Sequence, residues 1–523
     1  MNGQLTAALR ELPGFMANHV LISATALALG LLISLPLAVI AARNGRVRVV
    51  VLGIAGLIQT IPSLALLALF YPLLLALSAL TQATFGTTVP ALGFLPSVLA
   101  LTLYAILPIL RNAVTGLMGV DPKVIEAADG VGMTPRQRLL QVEVPLAAPV
   151  VMAGVRTATV WTIGAATLAT SVGQTSLGNY IFSGLQTENW VFVVFGCGAA
   201  TLLAVVADQL LGLIEAGIVR GRTRTWMFGL AGLVVGTGLA LIPLLSAGGT
   251  SKSPTYVIGA KNFSEQFILA ELMGARLEAA GSRVVRKDSL GSAVAFRALA
   301  AGDLDVYVDY SGTLWTNVLG RTDVLPRAEL LSELKRALMQ RHGVTMLGSL
   351  GFENAYVLAM NAPAANASGI ASMADLALKA PQLTLGADLE FLSRPEWSAL
   401  KSAYGLNFKG ERSFNPTFMY RALQTKDVDV ISAFSSDGRI AANNLVVLSD
   451  PKGAAPSYDA IVLLSPRRAN DANLVSALTP LVGAITVEAM REANLRVDRD
   501  QAKATPKEAA AALGTGLPPT RAP

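Results

Sequence analysis

Long apolar runs separated by short polar intervals fill the first half of the chain. There are six such runs before residue 246, and they are Val20–Ala42, Val49–Leu80, Pro96–Leu110, Leu146–Val172, Val191–Ile218 and Trp226–Leu245. A helix needs about 20 predominantly apolar residues to cross a bilayer. The pattern therefore predicts six membrane spans. The run Val49–Leu80 exceeds one crossing and contains Pro62, which predicts either a kinked span or one span with a short re-entrant piece.

The second half of the chain has shorter apolar runs that alternate with amphipathic ones. Tyr256–Ala260 is typical of a strand, Ser264–Ala280 of a helix, Arg283–Lys287 of a strand and Ser292–Ala301 of a helix, and the alternation continues to a strand at Ile461–Leu464. Repeated strand–helix units indicate parallel sheets with helices on both faces. About 250 residues are enough for two such lobes.

These patterns predict an all-α polytopic membrane domain followed by a two-lobed α/β domain. The predicted parts are an external N-terminal segment (1–18), a transmembrane domain (19–246), a linker (247–255), the α/β domain (256–500) and a flexible tail (501–523). Within the α/β domain we expect one lobe at 256–350 and 455–500 and the other at 351–454.

Composition agrees with a chain that lies partly in a bilayer, because 53% of its 523 residues are hydrophobic and only 15% are charged. The net charge of +6 is modest and the basic residues collect at the ends of apolar runs, so nucleic-acid binding is not expected. The single cysteine, Cys197, excludes an intrachain disulfide and a thiolate metal site. We expect no metal and no cofactor.

Basic residues predict the topology. Arg43, Arg46 and Arg48 follow the first span, and Arg220, Arg222 and Arg224 follow the fifth. The positive-inside rule places both groups on the cytoplasmic side. The N-terminus and everything after residue 246 then lie outside. Asp208 falls within the fifth span, where a carboxylate is either functional or paired with a neighbouring helix.

A polar interval from Glu126 to Pro145, EAADGVGMTPRQRLLQVEVP, separates the third and fourth spans. Its glycines predict a helix–turn–helix bracket. The spacing resembles the EAA loop of ABC importer permeases, and IQTIPSLALL and LYAILPILRN resemble the permeases of osmoprotectant importers. The resemblance implies a type I permease that works as a homodimer. It also implies that Glu126, Ala127, Ala128, Gly132 and Pro145 dock on a separate ATPase subunit.

Four tyrosines occupy loop-like positions in the second half: Tyr310, Tyr356, Tyr420 and Tyr458. Aromatic faces attract a quaternary ammonium, which has no N–H to donate. The segments KNFSEQFILAEL, GDLDVYVDYSGT, LGADLEFLSRPE and DVDVISAFSSDGRI resemble the binding proteins of glycine betaine, choline and carnitine importers. The resemblance implies a periplasmic-binding-protein clamshell in which the four tyrosines cage a trimethylammonium. It also implies that Lys261, Thr313 and Arg394 hold a carboxylate, with Gln266 as a further candidate.

These features predict the permease and binding subunit of an ABC importer for betaine-type osmolytes, in a bacterial inner membrane with the binding domain outside. The chain has no GxxxxGK[ST] motif, so ATP hydrolysis must come from another subunit. No catalytic residue is expected, because no nucleophile–base pair or metal cluster is evident. A ligand-gated channel or receptor remains open as a second class. Ergothioneine also remains open, since an acid at Asp309, Glu353 or Asp437 would recognise a second group on a larger betaine.

Overall fold

The computed structural model describes residues 2–87, 89–187, 189–247, 253–321, 323, 325–454, 457–499 and 502–519. The chain forms two compact units. The first comprises Met1–Ile181 and Val191–Ser251, and the second comprises Phe182–Trp190 and Lys252–Pro523. Most of the predicted linker, residues 248–252, lies outside the described residues.

The described residues before position 248 form helices and connecting turns. The helices are α1 (Asn2–Arg43), α2 (Gly45–Thr60), α3 (Ser63–Phe85), α4 (Phe94–Met118), α5 (Pro122–Gly130), α6 (Pro135–Arg138), α7 (Val144–Ala166), α8 (Gly178–Gln186), α9 (Trp190–Val219) and α10 (Thr223–Ala247). Six segments are long and apolar enough to cross a membrane: Gln4–Arg43, Ser63–Phe85, Phe94–Met118, Pro135–Val172, Trp190–Val219 and Thr223–Leu244. Each overlaps one predicted span, which confirms the helical membrane domain.

Two predicted details of this domain differ from the structure. Residues 2–18 belong to α1 and are not a separate segment, because the helix begins at Asn2. The long second run is divided at Ile61 and Pro62 into α2 and α3. With 16 residues, α2 is too short to cross a bilayer. The Tyr104 hydroxyl donates to the Ile61 carbonyl at this break, so a carbonyl freed by the break is satisfied within the protein.

A charged cluster joins two of the predicted spans. Arg156 on α7 donates two hydrogen bonds of 2.8 Å to the carboxylate of Asp208 on α9, and a third of 2.8 Å to Glu215. Asp208 and Glu215 lie two turns apart on α9, so one guanidinium reaches both. The intramembrane carboxylate that the sequence singled out is therefore paired with a neighbouring helix.

The described residues of the second unit form two five-stranded mixed sheets. Its strands are β1 (Thr255–Lys261), β2 (Arg283–Leu290), β3 (Val306–Tyr310), β4 (Thr345–Glu353), β5 (Tyr356–Asn361), β6 (Thr384–Asp388), β7 (Gly410–Phe414), β8 (Val430–Phe434), β9 (Leu445–Val447) and β10 (Asp459–Leu464). The strand orders are β2-β1-β3-β10-β4 and β7-β6-β8-β5-β9. The expectation of wholly parallel sheets is wrong, because β10 runs antiparallel to β3 and β4, and β5 runs antiparallel to β8 and β9.

Helices cover both sheets. They are α11 (Ser264–Ala279), α12 (Ser292–Ala301), α13 (Ser311–Thr313), α14 (Arg327–His342), α15 (Ala362–Ser368), α16 (Met373–Lys379), α17 (Leu389–Ser393), α18 (Pro395–Tyr404), α19 (Pro416–Gln424), α20 (Arg439–Ala442), α21 (Ala472–Leu478), α22 (Val487–Asp498) and α23 (Pro506–Thr515). The chain passes from the first sheet to the second between β4 and β5, and it returns between β9 and β10. The proposed boundaries between the lobes, at about residues 350 and 455, lie close to these crossings.

The flexible tail predicted over 501–523 is wrong for its central part, because residues 506–515 form α23. Thr505 caps this helix in a reciprocal pair with Glu508. Ala509, Ala510 and Leu513 are buried in the main hydrophobic core of the second unit. Alanine has the highest helix propensity, and this apolar stripe docks on the domain, so the Ala-rich composition here specifies packed structure.

Adjacent alanines on α23 give a matched test of this packing. Ala510 is 3% exposed, whereas Ala511 is exposed. Ala510→Asp would bury an unpaired carboxylate, so we expect it to lower the unfolding temperature of the α/β domain by several degrees. Ala511→Asp should change it little. Differential scanning calorimetry of the full-length protein measures both, and equal unfolding temperatures for the two variants would show that α23 is not docked.

Candidate ligand-binding site

A cavity of about 420 Å³ lies between the two lobes of the second unit. It collects residues from the ends of strands and the loops that follow them. The lining side chains are Lys261, Asn262, Phe263, Ser292, Tyr310, Thr313, Asn354, Tyr356, Asp388, Leu389, Glu390, Arg394, Ser413, Phe414, Asn415, Phe434 and Tyr458. Six of the eight predicted ligand-binding residues are therefore brought together, and Gln266 and Tyr420 are not.

Aromatic rings form a continuous wall of this cavity. The Tyr356 ring centroid lies 4.8 Å from that of Phe434 and 5.9 Å from that of Tyr458. Phe263 stacks on Phe434 at 5.7 Å with an interplanar angle of 10°, and it lies 6.1 Å from Tyr310. The negative faces of such rings stabilise a cation by 0.5–1 kcal/mol at exposed sites and by about 2 kcal/mol when it is desolvated.

Two phenylalanines of this wall, Phe263 and Phe434, were not predicted from the sequence. Each lies at the end of a strand, in KNFSEQ after β1 and at the last position of β8. Tyr310 also lies at a strand end, as the last residue of β3, so the available signal for these phenylalanines was their position in the fold and not the residue type. A search for tyrosines alone does not find these two phenylalanines.

The hydroxyl of Tyr310 is held from behind. It donates to Oε1 of Glu265 at 2.6 Å and accepts from Nε2 of Gln266 at 3.0 Å. From the sequence, Gln266 is a candidate ligand contact. The structure corrects this, because the Gln266 side chain reaches Tyr310 and does not line the cavity. Burial is the main cause that raises the pKa of Tyr310 well above its usual value, so the phenol stays neutral.

Arg394 is the central cation of the cavity. It lies between α17 and α18, and its guanidinium carbon is 4.9 Å from the Tyr356 ring centroid and 5.8 Å from that of Tyr458. It donates to Glu396 and Glu390 at 2.9 Å each, and to the Thr313 hydroxyl at 3.3 Å. Burial is the largest single effect on Glu396 and disfavours its ionised form, but the Arg394 charge together with the hydrogen bonds from Arg394 and Tyr458 lowers the pKa of Glu396 overall.

Lys261 is also paired. Its ammonium contacts the buried carboxylate of Asp309, which further accepts from the Tyr307 hydroxyl at 2.5 Å and from the Tyr310 amide at 2.8 Å. The Lys261 nitrogen lies 5.2 Å from the Tyr310 ring centroid. Asp309 therefore neutralises Lys261 and does not face the ligand.

Two acids and two bases line the cavity, and each of the two bases is paired with a further acid behind the lining. Asp388 and Glu390 line it beside Lys261 and Arg394, while Asp309 and Glu396 pair with those two cations. Four acids against two bases leave a formal surplus of two negative charges. Burial raises the pKa of Asp388, and a bound cation would lower that pKa again. The electrostatics therefore favour a cationic group.

The acids that the sequence proposed for a second ligand group are placed elsewhere. Asp437 pairs with Arg439 at 2.8 Å, and Glu353 pairs with Arg327 at 3.2 Å. The acids that line the cavity are instead Asp388 and Glu390, in the segment LGADLEFLSRPE. Asp388 follows a buried run and caps α17 by accepting from the Phe391 amide at 2.8 Å, so its carboxylate stays at the cavity.

Tyr420 lies outside the cavity, so the structure does not bring it together with the other three tyrosines of the predicted cage. It is 3% exposed on α19, in a core with Met419, Ile431 and Ala359. Its ring lies 4.2 Å from the guanidinium carbon of Arg439 and faces that cation instead of the cleft. The cause is helical phase, because position 420 of the amphipathic helix faces the sheet.

The Glu126–Pro145 interval forms the predicted bracket. Asp121 caps α5, and Thr134 and Gln137 form a capping box on α6. Gly132 between these helices has φ +80°, which favours glycine. Arg138 ties the bracket together by donating to Asp129 at 2.7 Å and to Glu143 at 2.9 Å. Of the five predicted coupling residues, Glu126, Ala127, Gly132 and Pro145 are exposed and Ala128 is buried.

Comparisons with known proteins match both halves of the chain. The family "Substrate binding domain of ABC-type glycine betaine transport system" matches residues 254–513. The family "Binding-protein-dependent transport system inner membrane component" matches residues 34–220. Among solved structures, that of a glycine betaine/carnitine/choline ABC transporter is 26% identical with a TM-score of 0.44, covering 49% of this chain and 96% of that one.

Two curated relatives are similar to different extents of the chain. An ergothioneine transport permease/ergothioneine binding protein of Helicobacter pylori (strain G27) is 29% identical over 472 residues, covering 87% of this chain and 81% of the relative. A choline transport system permease protein of Bacillus subtilis (strain 168) is 42% identical over 198 residues, covering 38% of this chain and 84% of the relative.

The contrast between Tyr356 and Tyr420 gives a matched test of the cavity. We expect Tyr356→Leu to weaken the binding of choline about tenfold or more, because one aromatic face is lost. Tyr420→Leu should lower the unfolding temperature through lost packing, while its dissociation constant stays within about twofold of the wild type. Isothermal titration calorimetry on both full-length variants checks this. If Tyr420→Leu lost as much affinity as Tyr356→Leu, the Tyr420 ring would belong to the binding site.

Proposed function

This chain belongs to the ABC importer permeases and carries a glycine-betaine-type substrate-binding domain in the same polypeptide, and from this premise we propose that it imports a small quaternary ammonium compound. The observation that carries the proposal is a cavity of about 420 Å³ with a continuous aromatic wall and a formal surplus of negative charge. These two properties suit a permanent cation that cannot donate a hydrogen bond.

The aromatic wall and the acids contribute to binding in different ways. Three or four cation–π contacts worth about 0.5–2 kcal/mol each bring a ligand of this kind towards micromolar affinity. Asp388 and Glu390 add longer-range attraction for the ammonium. Lys261, Thr313 and Arg394 are the proposed contacts for a carboxylate, as in glycine betaine or carnitine. Choline lacks that group and would bind without them.

Ergothioneine is the second candidate, and two observations favour it. The Helicobacter pylori relative, which is similar over both domains, has that compound in its name. The cavity also offers acceptors beyond the needs of a trimethylammonium, namely Asp388, Glu390 and the buried Oδ1 of Asn354, which has no hydrogen-bond partner among the described residues. An imidazole-thione ring carries N–H groups that such acceptors would satisfy.

Transport requires partners outside this chain. An ABC permease implies an ATPase subunit, and we propose that it docks on the exposed residues of the Glu126–Pro145 bracket. We further propose a homodimer of permease domains around one pathway. We also propose that the bracket lies in the cytoplasm and the binding domain outside, in a bacterial inner membrane. The basic residues at 43–48 and 220–224 support this orientation through the positive-inside rule.

Calorimetry with a ligand panel tests the binding proposal. Full-length protein is titrated with glycine betaine, choline, carnitine, ergothioneine and glutamine, and with Arg394→Lys as a second protein. We expect at least one quaternary amine to bind and glutamine not to. Arg394→Lys should weaken the carboxylate-bearing ligands more than choline, since lysine cannot make the bidentate contact. Binding of glutamine alone would reject the proposal.

A substitution at Gly132 tests the coupling bracket. Gly132 and Gly281 both have positive φ, +80° and +79°, and in both a Cβ would have no neighbour within 4 Å. Aspartate therefore introduces similar backbone strain at either position. We expect Gly132→Asp to abolish ATP-dependent uptake of the panel's best ligand into proteoliposomes while leaving its binding intact. Gly281→Asp, in the α/β domain, is the control and should retain uptake; an equal loss in both would indicate general misfolding.

A further inference from the structure

A second, smaller cavity of about 30 Å³ lies behind the aromatic wall. Phe263, Asn354 and Phe434 line both cavities, so these side chains lie between the two. Glu265 lies in the smaller cavity at the start of α11 and is 2% exposed. None of the contacts in the ligand cavity requires a charged group at this position.

Glu265 accepts four hydrogen bonds. Its Oε1 accepts from the Tyr310 hydroxyl at 2.6 Å and from Nδ2 of Asn354 at 3.0 Å. Its Oε2 accepts from the Ser436 hydroxyl at 2.5 Å and from Nδ2 of Asn494 at 3.0 Å. A carboxylate can accept at each of these positions, so the set is complete without a cation.

The four donors come from separate parts of the α/β domain. Tyr310 ends β3 in the first sheet, and Asn354 lies on the crossing between β4 and β5. Ser436 follows β8 of the second sheet, and Asn494 lies on α22. One side chain therefore contacts the ligand wall, a connection between the lobes, and the second lobe.

We infer that Glu265 is a positioning residue, which fixes the ring of Tyr310 in the ligand wall and ties that ring to the second lobe through Ser436. The inference rests on the proposed function only in assigning the wall to a quaternary ammonium. With the hydroxyl hydrogen bonded to Glu265 and Gln266, Tyr310 has one ring orientation, so no binding energy is spent on ordering it.

A carboxylate accepts from all four donors as they stand, whereas an amide does not. Glutamine at this position would direct an NH2 group at two of the four donors; the hydroxyl of that pair can turn to accept from it, but the asparagine amide must reverse. Burial raises the pKa of Glu265, and hydrogen bonds from Ser436, Tyr310 and the two asparagines oppose that rise. The four donors therefore offset part of the cost of burying this carboxylate.

A ligand-independent readout separates this inference from the proposed function. The full-length protein is labelled with 3-fluorotyrosine, and Tyr310→Phe identifies the Tyr310 resonance in the ¹⁹F spectrum. We expect Glu265→Gln to shift or split this resonance more than those of Tyr356 and Tyr458. Asp305→Asn is the control, because Asp305 is also a fully buried carboxylate with several donors but does not line the cavity. An unchanged Tyr310 resonance in Glu265→Gln overturns the inference, even if no panel ligand binds.

A double-mutant cycle then measures the effect on affinity for choline or, if that binds weakly, glycine betaine. Glu265→Gln and Tyr310→Phe should each weaken binding about tenfold, while the double variant should be little weaker than the stronger single variant. Additive losses would show that Glu265 acts independently of Tyr310 and would overturn the inference. If Glu265→Gln does not fold, Ser436→Ala replaces it in both experiments, since it removes one donor and leaves the carboxylate in place. Asp305→Asn should lower the unfolding temperature but not the affinity.

Discussion

The pairing of buried charges is the constraint on which the α/β domain depends. An ionised side chain removed from water costs several kcal/mol unless an opposite charge or a full set of hydrogen bonds replaces its hydration. Lys261 meets this condition with Asp309 and Arg394 meets it with Glu396, while four neutral donors to Glu265 compensate only part of its burial, which still raises its pKa. Each compensation draws groups from distant parts of the chain, so the requirement to satisfy charge also holds the cleft together.

The same constraint sets the electrostatics of the cleft. Because Lys261 and Arg394 are already neutralised, they contribute little free positive potential, and the acids Asp388 and Glu390 dominate the cavity. Arg394 nevertheless lies against the faces of Tyr356 and Tyr458, where a ligand cation would also gain energy. A ligand must therefore share these rings with Arg394 or displace it. A carboxylate on the ligand eases that competition by adding an acceptor for the guanidinium.

The fold could be predicted largely from the sequence because its signals are local. Apolar length identified six spans, and alternating strand and helix patterns identified the α/β domain. Predictions failed where the outcome depends on contacts made at a distance. The antiparallel strands β5 and β10 exist because the chain crosses between lobes. Tyr420 faces a sheet because of the phase of α19, and α23 is ordered because Ala509 and Ala510 reach a core built by other segments. Phe263 and Phe434 were not predicted, because they meet only when the fold brings the strand ends of both lobes together.

Joining the binding domain to the permease in one chain changes what the site must achieve. A binding protein that diffuses freely must hold its ligand until it meets a permease, which favours tight binding. A tethered domain meets its permease at an effective concentration in the millimolar range when the connection is short. Moderate affinity from a few aromatic faces is then sufficient, and fast release becomes an advantage. The preorganised ring proposed for Tyr310 would lower the ordering cost of binding, so that a few aromatic faces suffice for this moderate affinity.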